Sequence, residues 1–197
     1  MTQLRIFAIG LLVATWSSLA TAQLDRVYTY DSTTASAGTV TDVTRDGVSL
    51  KVGSNVKNYP EGEIRKISFQ GDPSGLTKGR ELAIDGQYEQ ALEELDVVDA
   101  EKLSREFIQT DVAYYRLLCR SKLALAGQGD RNSAAAEAIQ FAGKHRDSFH
   151  FFPVAKLLGD LALASKKYDD AIKFYGALSN AKSVESKIES RYLTGIA

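Results

Sequence analysis

The period of hydrophobic and polar positions changes once along this chain. Between residues 24 and 72, apolar residues alternate with polar ones, as at Val48, Leu50 and Val52, which is the period of a half-buried β-strand. From residue 74 to residue 197, apolar residues recur every three or four positions, which is the period of an amphipathic helix. The pattern therefore predicts an α+β chain, in which a small N-terminal β module precedes an all-α region.

Turn sequences divide the β module into four or five short strands. Asp46-Gly47 lies between two strand-forming runs and is a strong hairpin signal, and further turns are expected at Gly53–Asn55 and Tyr59–Gly62. Val27–Tyr30 supplies the fifth strand. These strands are too few for a β-sandwich, so the sequence predicts a small barrel-like module. Strand number and turn placement resemble those of SH3-like and Sm-like barrels.

The helical period divides the rest of the chain into seven segments. The predicted helices span residues 75–85, 88–98, 105–126, 133–144, 151–164, 168–179 and 184–196. Short connections such as Gly127–Asp130 indicate that consecutive helices form hairpins.

Two stretches of the helical region carry the same spaced pattern. GRELAIDGQYEQALEEL begins at Gly79 and GDLALASKKYDDAIKFY begins at Gly159, 80 residues later. In both, Gly is followed by Tyr-x-x-Ala, which predicts a close helix contact at Ala91 and at Ala171. The pattern resembles the tetratricopeptide repeat (TPR) family, whose helical hairpins stack into a solenoid. The resemblance covers residues 74–197, and the spacing leaves room for one further hairpin between the two copies.

The resemblance implies a binding groove lined by the first helix of each hairpin. By resemblance, the groove-facing positions are Leu76, Arg80 and Ala83 in the first copy and Lys156, Asp160 and Leu163 in the second. Some members of the family clamp a C-terminal carboxylate with Lys and Asn at these positions. This chain lacks that set, so binding of chaperone tails is not predicted.

The copies also depart from the family pattern. The second copy has Lys166 where the first has Gly86 in the inter-helix turn, and both lack the repeat-ending Pro. The segment SVESKIESRYLTGIA starts another first helix, with Gly195 at the small position. Because a lone first helix leaves its apolar side uncovered, the array is expected to be truncated at the C-terminus and to continue beyond Ala197.

Residues 1–22 have the three-part layout of a secretory signal peptide. Arg5 precedes the apolar run Ile6–Trp16, and a small-x-small cleavage site ends at Ala22. The sequence therefore predicts an extracytoplasmic protein, periplasmic or secreted, with an uncleaved anchor as the alternative. The chain has no second long apolar run, so no membrane span is expected after cleavage.

Charge and cysteine content narrow the functional classes. The formal net charge is −1 at pH 7, which gives no electrostatic reason to expect nucleic acid or an anionic membrane as partner. Cys119 is the only cysteine, so no internal disulfide is possible, and its apolar surroundings predict core packing.

The sequence contains no motif on which to base a catalytic, metal or cofactor assignment. His145 and His150 are too few and wrongly spaced for a zinc site, and phosphate-binding glycine motifs are absent. His150, Phe151 and Phe152 are expected to wedge between neighbouring hairpins, while His145 is expected to be solvated. No enzyme activity, metal or cofactor is therefore predicted.

The leading hypothesis is an exported adaptor that binds a protein or peptide partner through a TPR-like array. The alternative is a structural envelope scaffold, or one component of a homo-oligomer, that does not use the groove. A third possibility is an enzyme whose catalytic domain lies beyond Ala197.

Overall fold

The computed structural model describes residues 24–197, in which a five-stranded antiparallel sheet precedes seven α-helices. The strands are β1 (Asp25–Thr29), β2 (Ser36–Thr44), β3 (Gly47–Val52), β4 (Asn55–Pro60) and β5 (Ile64–Ser68). The helices are α1 (Ser74–Ile84), α2 (Tyr88–Asp96), α3 (Glu106–Leu125), α4 (Arg131–Lys144), α5 (Phe151–Ala164), α6 (Tyr168–Ala177) and α7 (Val184–Ile196). The signal-peptide prediction for residues 1–22 lies outside the described residues.

Two of the predicted hairpin turns join neighbouring strands. The Asp46-Gly47 turn connects β2 to β3, which pair antiparallel from Thr44 opposite Gly47. Gly53 adopts a left-handed φ of 61° in the turn between β3 and β4, a conformation that costs glycine little. The two signals read from the sequence are therefore confirmed, together with the fifth strand at the start of the module.

The predicted barrel is wrong, because the sheet is open. Its strand order is β4-β3-β2-β1-β5, so β4 and β5 form the two edges and do not pair with each other. A short 3-10 turn, Glu61–Glu63, separates these two strands along the chain. In β4 only Tyr59 is buried, so this strand has no row of inward side chains to fill a barrel interior.

The inner face of the sheet is covered by helices. One hydrophobic cluster contains Val27, Leu50 and Ile67 of the sheet together with Leu76 of α1 and Val112 of α3. Helices therefore supply the apolar cover that the opposite wall of a barrel would supply. Cys119 lies in the same cluster, as predicted, and burial raises the pKa of its thiol to about 12.

A buried carboxylate connects the sheet to the helices. Asp25 accepts hydrogen bonds from the backbone N–H groups of Val40 and Gln70, both at 2.7 Å. The guanidinium of Arg105, just before α3, donates to the same carboxylate at 2.7 and 3.0 Å. The sheet and the first long helix are thus held together by charged groups as well as by apolar packing.

The helices follow the sequence prediction closely, since each bound lies within two residues of the expected one. They form three antiparallel hairpins, and each hairpin turn contains a residue with a left-handed backbone. The φ values are 79° at Gly86, 85° at Gly127 and 59° at Lys166. Lys166 therefore adopts the turn conformation of Gly86 without the freedom of glycine, and the departure in the second copy leaves the turn unchanged.

The two glycines of the repeated pattern lie where helices approach closely. A Cβ atom on Gly79 would lie 2.5 Å from Cγ of Leu95, and one on Gly159 would lie 2.3 Å from the Tyr175 ring. Ala91 and Ala171 are fully buried. The helical contacts expected from the pattern are present, and membership of the TPR family remains a prediction.

The last helix returns to the sheet. At the start of α7, the hydroxyls of Ser183 and Ser186 donate to Oε1 of Glu61, at 2.6 and 2.9 Å. Lys182 adds an ion pair with Asp46, at 2.9 Å. We call the contact of Glu61 with Ser183 and Ser186 the clasp. It brings α7 back to the sheet, so that the helices curve into a ring.

Candidate functional site

The ring surrounds a cavity of about 1060 Å³, called here the central cavity. Alternate helices of a stack of antiparallel hairpins face the same side, so α1, α3, α5 and α7 all contribute to its wall. The sheet contributes the start of β5 and the turn before it. Its lining residues are Tyr30, Glu61, Gly62, Ile64, Arg65, Ala83, Ile84, Asp85, Tyr114, Tyr115, Leu118, Phe149, His150, Phe152, Pro153, Lys156, Leu178, Glu185, Ser186, Ile188, Glu189 and Tyr192.

Two of the predicted groove positions line this cavity. Ala83 contributes from α1 and Lys156 from α5. The Nζ atom of Lys156 lies 3.6 Å from a carboxylate oxygen of Asp160 and 3.7 Å from one of Glu189. Lys156 is therefore on the cavity wall, with acidic groups already beside it.

The other four predicted positions do not line the cavity. Leu76 is buried in the hydrophobic core, and Leu163 packs against a second cluster around Ala171. Asp160 accepts a hydrogen bond from the hydroxyl of Tyr175 at 2.8 Å. Arg80 is 1 % exposed, so the expectation that it faces the groove is corrected: its partners draw it into the interior.

Those partners form a buried network of charges. Arg80 donates to Oδ2 of Asp111 through Nε and Nη2, at 3.1 and 2.6 Å. Its Nη1 donates to Asp72, at 2.8 Å. One guanidinium thus connects the segment before α1, through α1 itself, to α3. Pairing of this kind is what permits a guanidinium to be buried.

His150 extends the network from α3 to the start of α5. Its Nε2 atom lies 2.6 Å from Oδ1 of Asp111, and its ring stacks on Tyr114 with centroids 3.6 Å apart. Because an ionised carboxylate only accepts, Nε2 of His150 carries the proton. The histidine is buried between hairpins, as predicted. His145, expected in solvent, is instead half-buried, with Nδ1 at 3.2 Å from Oγ1 of Thr110.

Burial and pairing move the pKa values of this network in different directions. Burial alone would raise the pKa of Asp111, but the charge of Arg80 and the hydrogen bond from His150 outweigh it and lower that pKa. For Asp72, burial outweighs Arg80 and raises the pKa. Burial lowers the pKa of His150, and the hydrogen bond to Asp111 offsets this only in part. The structure therefore favours a neutral imidazole.

Acidification should consequently weaken the fold. In the unfolded chain His150 regains a pKa near 6.5, so below that value the unfolded state binds more protons than the folded state. We expect the free energy of unfolding to be highest above about pH 6.5 and to fall as the pH decreases through the range below it. Urea denaturation at about pH 7.5 and about pH 5.5 measures the difference.

The variant His150→Gln isolates this contribution, because glutamine offers an N–H donor but does not titrate. Its unfolding free energy should fall less between the two pH values than that of the native protein. His145→Gln is the comparison: burial lowers the pKa of His145 as well, so this variant measures the part of the pH dependence that comes from that histidine. An equal fall in the native protein and in His150→Gln would contradict the assignment.

Several apolar side chains on the cavity wall remain exposed. Tyr30 is 71 % exposed, Tyr192 is 66 % exposed and Ile188 is 61 % exposed. Ile188 and Tyr192 belong to a row on α7 with exposed Val184 and Ile196, each four residues from the next. The opening of the cavity is therefore lined partly by apolar surface that nothing in the described chain covers.

The cavity wall includes residues that the repeat pattern did not indicate, notably Glu61, Arg65 and Glu185. Glu61 belongs to a turn of the sheet, and its two serine partners lie more than a hundred positions further along the chain. Sequence periodicity reports only local neighbours, so it contains no signal for this contact.

Within residues 24–197, no group of three or more His, Cys, Asp or Glu side chains is arranged to hold a metal ion. None of the helices in the same part of the chain combines the length and the apolar character needed to cross a membrane. Comparison with protein-family models, with curated proteins and with solved structures finds no match to this chain.

Proposed function

We propose that this protein is an adaptor that binds a peptide segment of a partner protein in the central cavity. The observation that carries the proposal is the cavity itself, of about 1060 Å³, walled by one face of four helices and by the sheet. Small-molecule pockets typically measure roughly 300–1,000 Å³, so this cavity is at or beyond the upper end of that range. A short peptide segment fits such a volume.

The chemistry of the wall supports a peptide ligand. Binding sites for proteins are enriched in aromatic side chains, and those that contribute most affinity are commonly Tyr, Trp and Arg. Tyr30, Ile188 and Tyr192 offer exposed apolar surface at the cavity, and the wall also includes acidic and basic side chains. The helical repeats resemble those of a family of peptide-binding solenoids, and this resemblance also supports a peptide ligand.

The Asp111–His150 pair does not lead us to propose an enzyme. A carboxylate that orients a histidine is common in active sites, and His150 does line the cavity. Here, however, His150 is 3 % exposed and Asp111 is also paired with Arg80. The network connects α1, α3 and α5, so its role is to stabilise the packing of these helices. Absence of enzyme activity, export to an extracytoplasmic compartment and the lack of a cofactor all remain predictions.

Selection from a random peptide library against the purified protein tests the proposal. We expect the enriched peptides to bind Ile188→Ala and Tyr192→Ala about tenfold more weakly than the native protein, because truncation of a side chain that contributes strongly to binding typically costs at least that much. Ile139→Ala is the matched control. Ile139 is also helical, is 56 % exposed and does not line the cavity.

Equal binding to Ile188→Ala, Tyr192→Ala and Ile139→Ala would place the binding surface outside the cavity. Circular dichroism of the variants should be unchanged, since all three side chains are exposed. If no peptide is enriched and the purified protein self-associates in light scattering, the structural scaffold or homo-oligomer becomes the better hypothesis.

A further inference from the structure

Resting on the peptide-binding function above, we propose that Glu61 is a recognition site for a cationic group of the ligand, the guanidinium or ammonium of a basic side chain. Glu61 lies in the short turn between β4 and β5 and lines the central cavity. It is only 6 % exposed, which is unusual for a glutamate.

One carboxylate oxygen of Glu61 is satisfied and the other is not. Oε1 accepts the hydroxyls of Ser183 and Ser186. Oε2 is buried and has no hydrogen-bond partner among residues 24–197. A buried acceptor of a charged group is costly to leave unpaired, because it has lost water without gaining a donor. The geometry therefore points to a donor supplied from the cavity.

The position of Glu61 is rigid. Its backbone N–H donates to the carbonyl of Asp46, at 3.2 Å. Ser183 is itself fixed, because its Oγ accepts the backbone N–H of Ser186 as the N-cap of α7. Because both the backbone and the carboxylate of Glu61 are fixed, the side chain loses little conformational entropy when a ligand binds. This favours recognition by the carboxylate.

The surrounding charges select a cation rather than a neutral donor. No Lys, Arg or His nitrogen of residues 24–197 lies within 4.0 Å of the Glu61 carboxylate. Asp85, Glu185 and Glu189 also line the cavity, against the cations Arg65 and Lys156. Lys156 is already beside two carboxylates. The acidic excess attracts a positive group, and the desolvated Glu61 gives it a specific partner.

The test compares two probes of the same shape and different charge, benzylguanidinium and benzylurea. In an NMR titration of the purified protein, benzylguanidinium should shift the backbone amides around Glu61 and in the first turn of α7. It should bind about tenfold more tightly than benzylurea, since a charge-assisted hydrogen bond is roughly twice as strong as a neutral one. Added salt should reduce the preference.

Glu61→Gln should abolish the preference, because the amide oxygen still accepts the two serines but the free carboxylate oxygen becomes an N–H donor and the charge is lost. Glu63→Gln is the matched control. Glu63 is an exposed glutamate in the same turn and does not line the cavity. The double variant Ser183→Ala/Ser186→Ala removes the clasp hydrogen bonds but keeps the carboxylate, and it should retain a preference smaller than that of the native protein, because Glu61 is no longer fixed.

Equal binding of the two probes to the native protein would overturn the cation site, whether or not Glu61→Gln folds. The same loss in Glu63→Gln would also overturn it, since the cause would then be the general field of the cavity. In either case, if benzylurea still binds at the cavity wall, the peptide-binding proposal is not contradicted. Failure of both probes to shift any cavity amide overturns the cation site, and the library selection then decides the wider proposal separately.

Discussion

Replacing Asp111 with alanine should lower the free energy of unfolding by about 3–5 kcal/mol, the usual cost of breaking a buried ion pair on one side. The variant leaves the guanidinium of Arg80, which is 1 % exposed, with only Asp72 as a charged partner. It also leaves Nε2 of His150 without its acceptor. Urea denaturation followed by circular dichroism measures the loss.

The matched control is Glu137→Ala, which removes the carboxylate of a surface ion pair between α3 and α4. The Arg120 and Glu137 side chains are 44 % and 39 % exposed, at a distance of 3.3 Å. Solvent screens such pairs, so the expected cost is about 0–1 kcal/mol. If Asp111→Ala cost no more than Glu137→Ala, the buried network would not hold the hairpins together.

Gly159→Ala should destabilise the protein by about 1–3 kcal/mol, the typical cost of an overpacked helix contact. The new methyl group would lie 2.3 Å from the Tyr175 ring. That ring has little room to move, because it is buried and its hydroxyl donates to Asp160. The loss should outweigh the helix propensity that alanine gains over glycine, about 1 kcal/mol. The midpoint of thermal unfolding reports it.

Gly195→Ala provides the comparison, since Gly195 takes the corresponding place in α7 and nothing lies within 4 Å of its added Cβ. The same substitution there should cause no loss of stability and allows a small gain in helix propensity. Similar losses at both positions would mean that the effect does not come from the contact with Tyr175.

The sequence could predict local structure well, because the relevant signals are local. The helical period set the bounds of all seven helices, and the Asp46-Gly47 signal identified the β2–β3 hairpin. Asp130 caps α4 by accepting hydrogen bonds from the N–H groups of Asn132 and Ser133, which is a common role of aspartate. These features depend on neighbours only a few positions away.

Closure of the sheet and composition of the site depend on distant partners. Whether β4 pairs with β5 is decided by what covers the sheet, and no strand pattern reports that. Arg80 has the register of a groove residue, but Asp111, 31 positions away, pairs with it in the interior. Of the six positions that the repeat pattern indicated, only Ala83 and Lys156 lie on the cavity wall, so helix register alone does not decide which side chains reach it.

The clasp also has a defined place in folding and unfolding: it forms after the hairpins and can open before them. Each hairpin turn is closed by backbone hydrogen bonds between near neighbours, such as Gln87 to Leu82 and Lys167 to Ala162. The clasp instead joins residues 122 and 125 positions apart, so it can form only after the intervening hairpins have stacked. It is correspondingly a contact that can open while the hairpins stay folded. The wall of the central cavity is therefore completed late in folding, and the contact that closes it can open before any helix melts.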